Sequence, residues 1–128
     1  MSKYVVDTFA WIEYFLSSAK GLKVKEIIED SNYEIFISPL TISEVMSLSK
    51  REKKDYENVY AVMLSLSRVF PTDELFFKEV GLLHAEIKQN IKDFGMVDVV
   101  VLLTARRLNA KVLTGDPHFK GFKEAVMI

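Results

Sequence analysis

The sequence contains no cysteine among its 128 residues, and only five glycines and three prolines. Without cysteine there is no disulfide framework, thiolate zinc site or cysteine nucleophile. So few glycines and prolines argue against a many-turned all-β sandwich and against a collagen-like repeat. These absences leave a domain of regular helices and strands around an ordinary hydrophobic core.

Long apolar runs are absent too. The apolar start of the chain is interrupted at Asp7, and the run at 99–103 is far shorter than the roughly 20 residues of a membrane span. With 49% hydrophobic and 27% charged residues, the chain is too apolar for disorder and too charged for a membrane protein. We therefore expect one cytoplasmic domain over residues 1–128, with no membrane partner.

Neither sign of charge is in excess, since 17 basic side chains face 18 acidic ones and the formal charge is −1. Taken alone, this balance argues against a general electrostatic nucleic-acid binder. It would mean something different if several of the acids shared one cation site.

Short β-branched segments alternate with helical patterns along the chain. Strands are predicted at 3–6, 34–38, 69–70, 111–114 and 125–128. Helices are predicted after an N-cap at Thr8, around 24–28, from Thr41, at 59–66, from 72 or 73 to 92, and at 98–108, with a break at Ser17, Ser18 and Gly21 between the first two. This alternation favours an α/β fold with a parallel sheet covered by helices on both faces.

Three acids stand where such a sheet binds ligands or on a core-facing helix stripe. Asp7 follows the first predicted strand, and Asp116 follows a later strand that ends at Thr114. Ligands of open parallel sheets bind outside the carboxyl ends of the strands. Asp98 opens a helix on its core-facing stripe, where a carboxylate is costly to bury unless something compensates it.

Each candidate acid also has a purely structural interpretation. Asp7 would cap the next helix, and Glu44 would complete a capping box with Thr41. Asp98 would favour the positive end of its helix, and Asp116 would be a turn residue. If the four converge, however, carboxylates about 5 Å apart repel by about 3 kcal/mol at an effective dielectric of about 20. Such a cluster raises its own pKa values or binds a cation, and oxygen ligands suit Mg²⁺ or Mn²⁺.

Five segments carry a likeness to a known family: 6–14 (VDTFAWIEY), 41–45 (TISEV), 95–98 (GMVD), 105–109 (ARRLN) and 112–119 (VLTGDPHF). In this order they resemble the PIN domain, the metal-dependent nuclease fold of VapC-type toxins, over essentially the full length. Residues 50–90 match only in being helical. The resemblance implies a three-layer α/β/α sandwich with a central, mainly parallel, twisted sheet.

The resemblance also implies roles for the four acids. Asp7, Glu44, Asp98 and Asp116 would be the catalytic and metal-binding residues for Mg²⁺ or Mn²⁺, with Asp7 as the central ligand. Thr114 and Thr8 would supply hydroxyls that orient carboxylates or bind phosphate. The implied reaction is hydrolysis of an RNA phosphodiester by metal-activated water, which leaves a 5′-phosphate.

A basic rim would hold the RNA backbone, and the toxin likeness implies an antitoxin protein and a homodimer. The candidates for the rim, each equally well explained as part of a solvated helix face, are Lys50, Arg51, Lys53, Lys54, Arg106, Arg107 and Lys120.

With four of the 18 acids at one site, 14 acids would face 17 bases elsewhere. Two divalent cations would shift the formal charge from −1 to +3, so near-neutrality no longer argues against RNA.

Competing interpretations fit less well. A response-regulator receiver domain needs paired acids after its first strand, but Val6 and Thr8 flank Asp7. A haloacid-dehalogenase phosphatase needs a second Asp where this chain has Phe9. A non-catalytic PIN-like module that binds RNA or protein stays open, although such a binding surface would not need all four acids.

Aromatic and histidine side chains carry weaker predictions. Trp11, Tyr14 and Phe15 have helical spacing and are predicted in the core or a dimer interface rather than in a base-stacking platform. His84 is predicted on a helix surface. His118, two residues beyond Asp116, is a candidate for supporting the metal ligands.

Overall fold

The structure is a computed structural model, and it describes residues 2–128. The strands are β1 (Ser2–Val6), β2 (Tyr33–Ile37), β3 (Arg68–Val69), β4 (Lys111–Thr114) and β5 (Ala125–Met127). The helices are α1 (Thr8–Leu16), α2 (Ala19–Ile28), α3 (Pro39–Arg51), α4 (Tyr56–Leu66), α5 (Glu74–Lys88) and α6 (Met96–Leu108), with a 3₁₀ turn at Pro117–Phe119. Between residues 2 and 128, no helix combines the length and apolarity that crossing a bilayer requires.

The five strands form one sheet in the order β3-β2-β1-β4-β5, and every pairing is parallel. The chain moves outward from β1 through β2 to β3, then crosses to the other side of β1 to add β4 and β5. The direction of strand addition therefore reverses between β1 and β4. The crevice at such a reversal is where open parallel sheets bind ligands.

Successive β1 residues point to opposite faces of the sheet, and each face has its own core. Val5 belongs to a cluster with Phe76 of α5 and with α6. Val6 belongs to a second cluster with Trp11 of α1 and Met63 of α4. Helices α1 to α4 thus cover one face and α5 and α6 the other. The predicted three-layer α/β/α sandwich is confirmed, and its sheet is wholly parallel.

Two helix starts differ from the sequence prediction. Asp7, not Thr8, is the N-cap of α1, and its side chain accepts the Ala10 N–H. Helix α3 begins before Thr41, because Ser38 caps it and Pro39 fills its first turn. The predicted start at Thr41 is wrong, and Glu44 is therefore free to contact another element.

The predicted break between the first two helices is confirmed at Ser17 and Ser18, but it is wrong at Gly21, which lies inside α2. A Cβ at this position would stand 2.0 Å from the Glu13 carbonyl oxygen of α1. The glycine serves close packing of α1 against α2. This packing places the first turn of α2 beside the carboxyl end of β1.

The aromatic prediction holds for Trp11, which is 0% exposed and belongs to the core under α1. Tyr14 and Phe15 pack against that core and are half-buried. None of the three lines the cleft at the carboxyl end of β1, so a base-stacking role for them is not supported.

Candidate metal centre

The four predicted acids meet in one cleft of about 160 Å³ at the carboxyl ends of β1 and β4. The side chains that line it are Asp7, Thr8, Phe9, Glu44, Val97, Asp98, Val101 and Asp116. Four separate elements contribute: the end of β1 with α1, then α3, α6 and the turn after β4. The apolar side chains Phe9, Val97 and Val101 line the cleft together with the acids, and burial of a carboxylate among apolar groups raises its pKa.

Asp7 is the most buried of these acids, with 6% of its surface exposed. Its Oδ1 accepts the Ala10 N–H at 2.9 Å, and its Oδ2 accepts the Thr114 hydroxyl. Burial raises the pKa of Asp7 from 3.8 to about 7, and the nearby Asp116 and Asp98 carboxylates add to the rise. The cap interpretation of Asp7 is therefore correct, and the same carboxylate also lines the cleft.

Thr114 is fully buried and connects Asp7 to the turn that carries Asp116. Its hydroxyl donates to Asp7 Oδ2 and accepts the Asp116 N–H at 2.9 Å. Because a hydroxyl has one proton and two lone pairs, it can make both bonds at once. These two hydrogen bonds are the contacts that the orienting role predicted for Thr114 requires.

Glu44 lies on α3 with an exposed side chain, and its Oε1 accepts the Thr8 hydroxyl. The contact joins the first turn of α1 to α3 across 36 positions of sequence. Thr8 therefore orients Glu44, whereas Thr114 orients Asp7. Each predicted threonine holds a different carboxylate at the cleft.

Asp98 lies in the first turn of α6, where its Oδ2 accepts the Gly95 N–H at 2.9 Å. Partial burial raises its pKa; Asp116 and Glu44 act in the same direction, while the Gly95 N–H and His118 oppose them. The helix-start interpretation of Asp98 is correct, but the half-buried carboxylate also lines the cleft.

Asp116 and His118 face each other on the 3₁₀ turn after β4. Asp116 Oδ1 accepts the backbone N–H of His118 at 2.9 Å and lies 3.0 Å from His118 Nδ1. One potential ligand atom from each of Asp98, Asp116 and His118 lies within 4.8 Å of the other two. The structure thus adds His118 to the acidic group.

Phe9 and Lys20 also belong to this neighbourhood, and sequence reasoning missed both. Phe9 lines the cleft, and a Cβ on Gly115 would stand 2.3 Å from its ring. The Lys20 ammonium, from the first turn of α2, lies 5.3 Å from the centre of that ring. The glycine between Thr114 and Asp116 was a usable signal for close packing, whereas the arrival of Lys20 depends on how α2 packs.

The predicted basic residues are scattered. Arg106 and Arg107 lie at the far end of α6, about 12 Å along the helix axis from Asp98, and they pair with Glu124 and Glu79. Lys50 and Arg51 lie at the exposed end of α3, about 9 Å beyond Glu44. Lys53 and Lys54 follow in the α3–α4 connection, and Lys120 directly follows the 3₁₀ turn. Of this group only Lys120 lies within a few residues of a cleft acid, Asp116.

Comparison with known proteins places residues 4–125 within a family model described as the PIN domain. No curated protein is significantly similar to this chain in sequence. Among solved structures, VapBC2 from Rickettsia felis bound to a DNA fragment from its promoter superposes with a TM-score of 0.75 at 18% identity. That alignment covers 98% of this chain and 97% of the other.

Two further structures are similarly close. VapC20 of Mycobacterium tuberculosis, described as a toxin that cleaves the sarcin-ricin loop, has a TM-score of 0.75 at 15% identity, covering 94% of this chain and 95% of its own. A toxin–antitoxin complex from Klebsiella pneumoniae has a TM-score of 0.71 at 21% identity, covering 97% and 96%. At these identities the likeness shows the fold.

Proposed function

Because this chain belongs to the PIN domain family, we propose that it is a ribonuclease that uses Mg²⁺ or Mn²⁺ to hydrolyse RNA phosphodiester bonds. The observation that carries the proposal is the convergence of Asp7, Glu44, Asp98 and Asp116 in one cleft. Structural caps and turns would account for these acids one by one. They would not account for all four meeting at the reversal point of the sheet.

The donor set fits a hard divalent cation. It offers carboxylate oxygens and no sulfur, and oxygen ligands are those that Mg²⁺ and Mn²⁺ prefer. The raised pKa of buried Asp7, at about 7, indicates negative charge that the protein itself does not fully compensate. Asp7, Asp98 and Asp116 would hold the cation, with Glu44 at the exposed rim. When bound, it would supply activation of water and stabilisation of the departing oxygen.

The remaining groups of the site would act by orientation. The Thr114 hydroxyl fixes Asp7 relative to the turn of Asp116, and the Thr8 hydroxyl fixes Glu44. Val97 and Val101 add apolar surface to the cleft beside the carboxylates. A phosphodiester entering from the open side would meet acids whose positions are already set, so little ordering would be left for the reaction itself.

RNA would follow the basic and aromatic side chains nearest the cleft. Lys20 lies above the ring of Phe9, which lines the cleft, and Lys120 directly follows the 3₁₀ turn that Asp116 caps. Ammonium groups there would contact phosphates, and the Phe9 ring offers a surface for a base. Lys50, Arg51, Arg106 and Arg107 stay predictions as more distant backbone contacts.

We further propose that the chain is the toxin of a toxin–antitoxin pair and that its partner is a small antitoxin protein. The support is that two of the similar structures are described as complexes or pairs of this kind. Expression alone should slow growth, and co-expression with a small DNA-binding protein from the neighbouring gene should restore it. Growth unaffected by the wild type at a level confirmed by immunoblot would contradict the toxin role. A homodimer and a cytoplasmic location stay predictions.

The nuclease proposal is tested with purified protein and single-stranded RNA, with Mn²⁺ or with EDTA. The wild type should cleave only with metal and leave 5′-phosphates, and Asp7→Asn and Asp98→Asn should each lose about 100-fold or more of the rate. Asp93→Asn removes an exposed acid outside the cleft and should keep full activity. Equal cleavage by all four proteins would refute the proposal, and no metal-dependent cleavage by the wild type would favour the non-catalytic binding module.

A further inference from the structure

We propose that His118 is a direct ligand of the divalent cation in the cleft, through an imidazole nitrogen beside Asp98 and Asp116. This inference rests on the proposed metal-dependent function and gives the site a mixed nitrogen and oxygen donor set. The four-acid assignment, from which the sequence argument started, contains oxygen donors only. The addition changes which metal the site should prefer.

The spacing of the donors fits a single coordination sphere. In an octahedral site with bonds of about 2.1 Å, neighbouring ligand atoms are about 3.0 Å apart and opposite ones about 4.2 Å. Asp116 Oδ1 and His118 Nδ1 are 3.0 Å apart. The ligand atoms of Asp98, Asp116 and His118 lie within 4.8 Å of one another, so small side-chain rotations bring all three to one ion.

The backbone holds this pair in place before any metal binds. Asp116 Oδ1 accepts the His118 N–H at 2.9 Å, and the Asp116 N–H is bonded to the buried Thr114 hydroxyl. The Phe119 ring that follows is completely buried against Phe94, which anchors the turn. The imidazole itself is exposed, so solvent and ions reach it.

The two atoms of the Asp116–His118 contact are both suitable metal ligands. A carboxylate oxygen and an imidazole nitrogen that carries no proton each offer a lone pair to a cation, and here they lie 3.0 Å apart. A cation bound to both atoms would also reach the Asp98 carboxylate.

Metal selectivity distinguishes a ligand from a neighbour. Imidazole is a better donor for transition metals than for Mg²⁺, which prefers oxygen. A ligating His118 therefore favours Mn²⁺ over Mg²⁺, whereas a His118 that only steadies Asp116 by a hydrogen bond affects both metals equally.

The experiment is calorimetric titration of the full chain with Mn²⁺ and separately with Mg²⁺, on the wild type, His118→Gln and His84→Gln. His84 is the other of the two histidines and lies on α5, away from the cleft, so its variant controls for loss of an imidazole. His118→Gln should weaken Mn²⁺ binding about tenfold or more and Mg²⁺ binding by less than about threefold. His84→Gln should match the wild type. An equal loss for both metals, or no loss for either, overturns the proposal.

Pulsed electron paramagnetic resonance of bound Mn²⁺ gives a readout that does not depend on activity. Modulation from a coordinated imidazole nitrogen should be present in the wild type and in His84→Gln, and absent in His118→Gln. Mn²⁺ bound by the wild type without that modulation overturns the role of His118 alone. No Mn²⁺ binding at all overturns the metal-dependent function as well, so the two failures are distinguishable.

Discussion

Replacing Asp7 by Asn should make the metal-free protein more stable at neutral and alkaline pH. Burial raises the pKa of this carboxyl from 3.8 to about 7, so at pH 8 the folded protein carries a buried charge that it accommodates poorly. Asn has the same shape, keeps an oxygen for the Ala10 N–H, and carries no charge. The ionised Asp7 carboxylate thus lowers the stability of the metal-free protein, although the proposed metal binding requires that same carboxylate.

The sign and size follow from linkage. Between pH 3.8 and about 7 the folded state binds more protons at Asp7 than the unfolded state, so stability falls as pH rises, by about 1.4 kcal/mol per unit. Above pH 7 the loss is complete, at about 4 kcal/mol. The weakened bond with Thr114 offsets about 1–2 kcal/mol of the gain in Asp7→Asn. We therefore expect the variant to be more stable by about 2–3 kcal/mol at pH 8 and nearly equal to the wild type at pH 5.

Urea unfolding in EDTA at pH 5 and pH 8 measures this difference directly. Asp93→Asn controls for loss of an exposed acid and should follow the wild type at both pH values. Saturating Mn²⁺ should reverse the order at pH 8, because the wild type gains binding energy that the variant loses. A stability difference that is the same at pH 5 and pH 8, or a variant less stable at pH 8, would refute the reasoning.

Three further substitutions test the packing and hydrogen bonds around the site. Thr114→Val removes the hydroxyl that joins Asp7 to the Asp116 N–H, so the free energy of unfolding in urea should fall by about 1–3 kcal/mol and calorimetric titration should show weaker Mn²⁺ binding. The control is Thr104→Val, which removes a buried hydroxyl bonded only within α6 and should leave Mn²⁺ binding unchanged. An unaltered Mn²⁺ affinity in Thr114→Val would contradict the orienting role of Thr114. Gly115→Ala forces the Phe9 ring to move, so the free energy of unfolding should fall by about 1–3 kcal/mol, and much of this loss should disappear in a Phe9→Leu background. Strictly additive effects in the double-mutant cycle would disprove the contact between Gly115 and Phe9. Gly21→Ala drives a Cβ into the Glu13 carbonyl, so thermal unfolding should show a stability lower by about 2 kcal/mol or more. Gly81→Ala is the control, because a Cβ there meets open space on α5, and it should raise the stability by about 0.5–1 kcal/mol. Similar effects at both glycines would argue against the close packing of α1 on α2.

The placement of the acids was the part of the site most accessible from the sequence. Asp7 stands directly after β1 and Asp116 two residues after β4, and the carboxyl ends of parallel strands share one edge. The topology decided how close they came, because the chain reverses its direction of strand addition between β1 and β4. Periodicity alone predicts the strands but not their order.

Glu44 shows where local reasoning failed. Thr41 and Glu44 have the spacing of a capping box, yet Ser38 with Pro39 forms the actual start of α3. The Ser-Pro pair was a readable signal for an N-cap followed by a first helical residue. The bond that Glu44 does make, to Thr8, joins two helices, and no local pattern predicts it.

The basic residues show a second limit of sequence reasoning. Arg106 and Arg107 look available in the sequence, but each meets a carboxylate from another element, Glu124 and Glu79. Lys20 looks unremarkable on α2, yet the packing that Gly21 permits brings it over Phe9. Which charges face the cleft is decided by helix packing, which depends on many side chains at once.

The bond between Thr114 and Asp7 joins residues 107 positions apart, and this has a consequence in time. A ribosome adds about 5–20 residues per second, so roughly 5 to 20 seconds pass between the synthesis of Asp7 and that of Thr114. During that interval β1 can pair with β2, but β4 and the turn that carries Asp116 do not yet exist. Until Asp98 and Asp116 are synthesised, a nascent chain thus carries only two of the four cleft acids, Asp7 and Glu44. For an enzyme proposed to cut RNA, this order means that the growing chain lacks a complete site until the ribosome has passed Asp116.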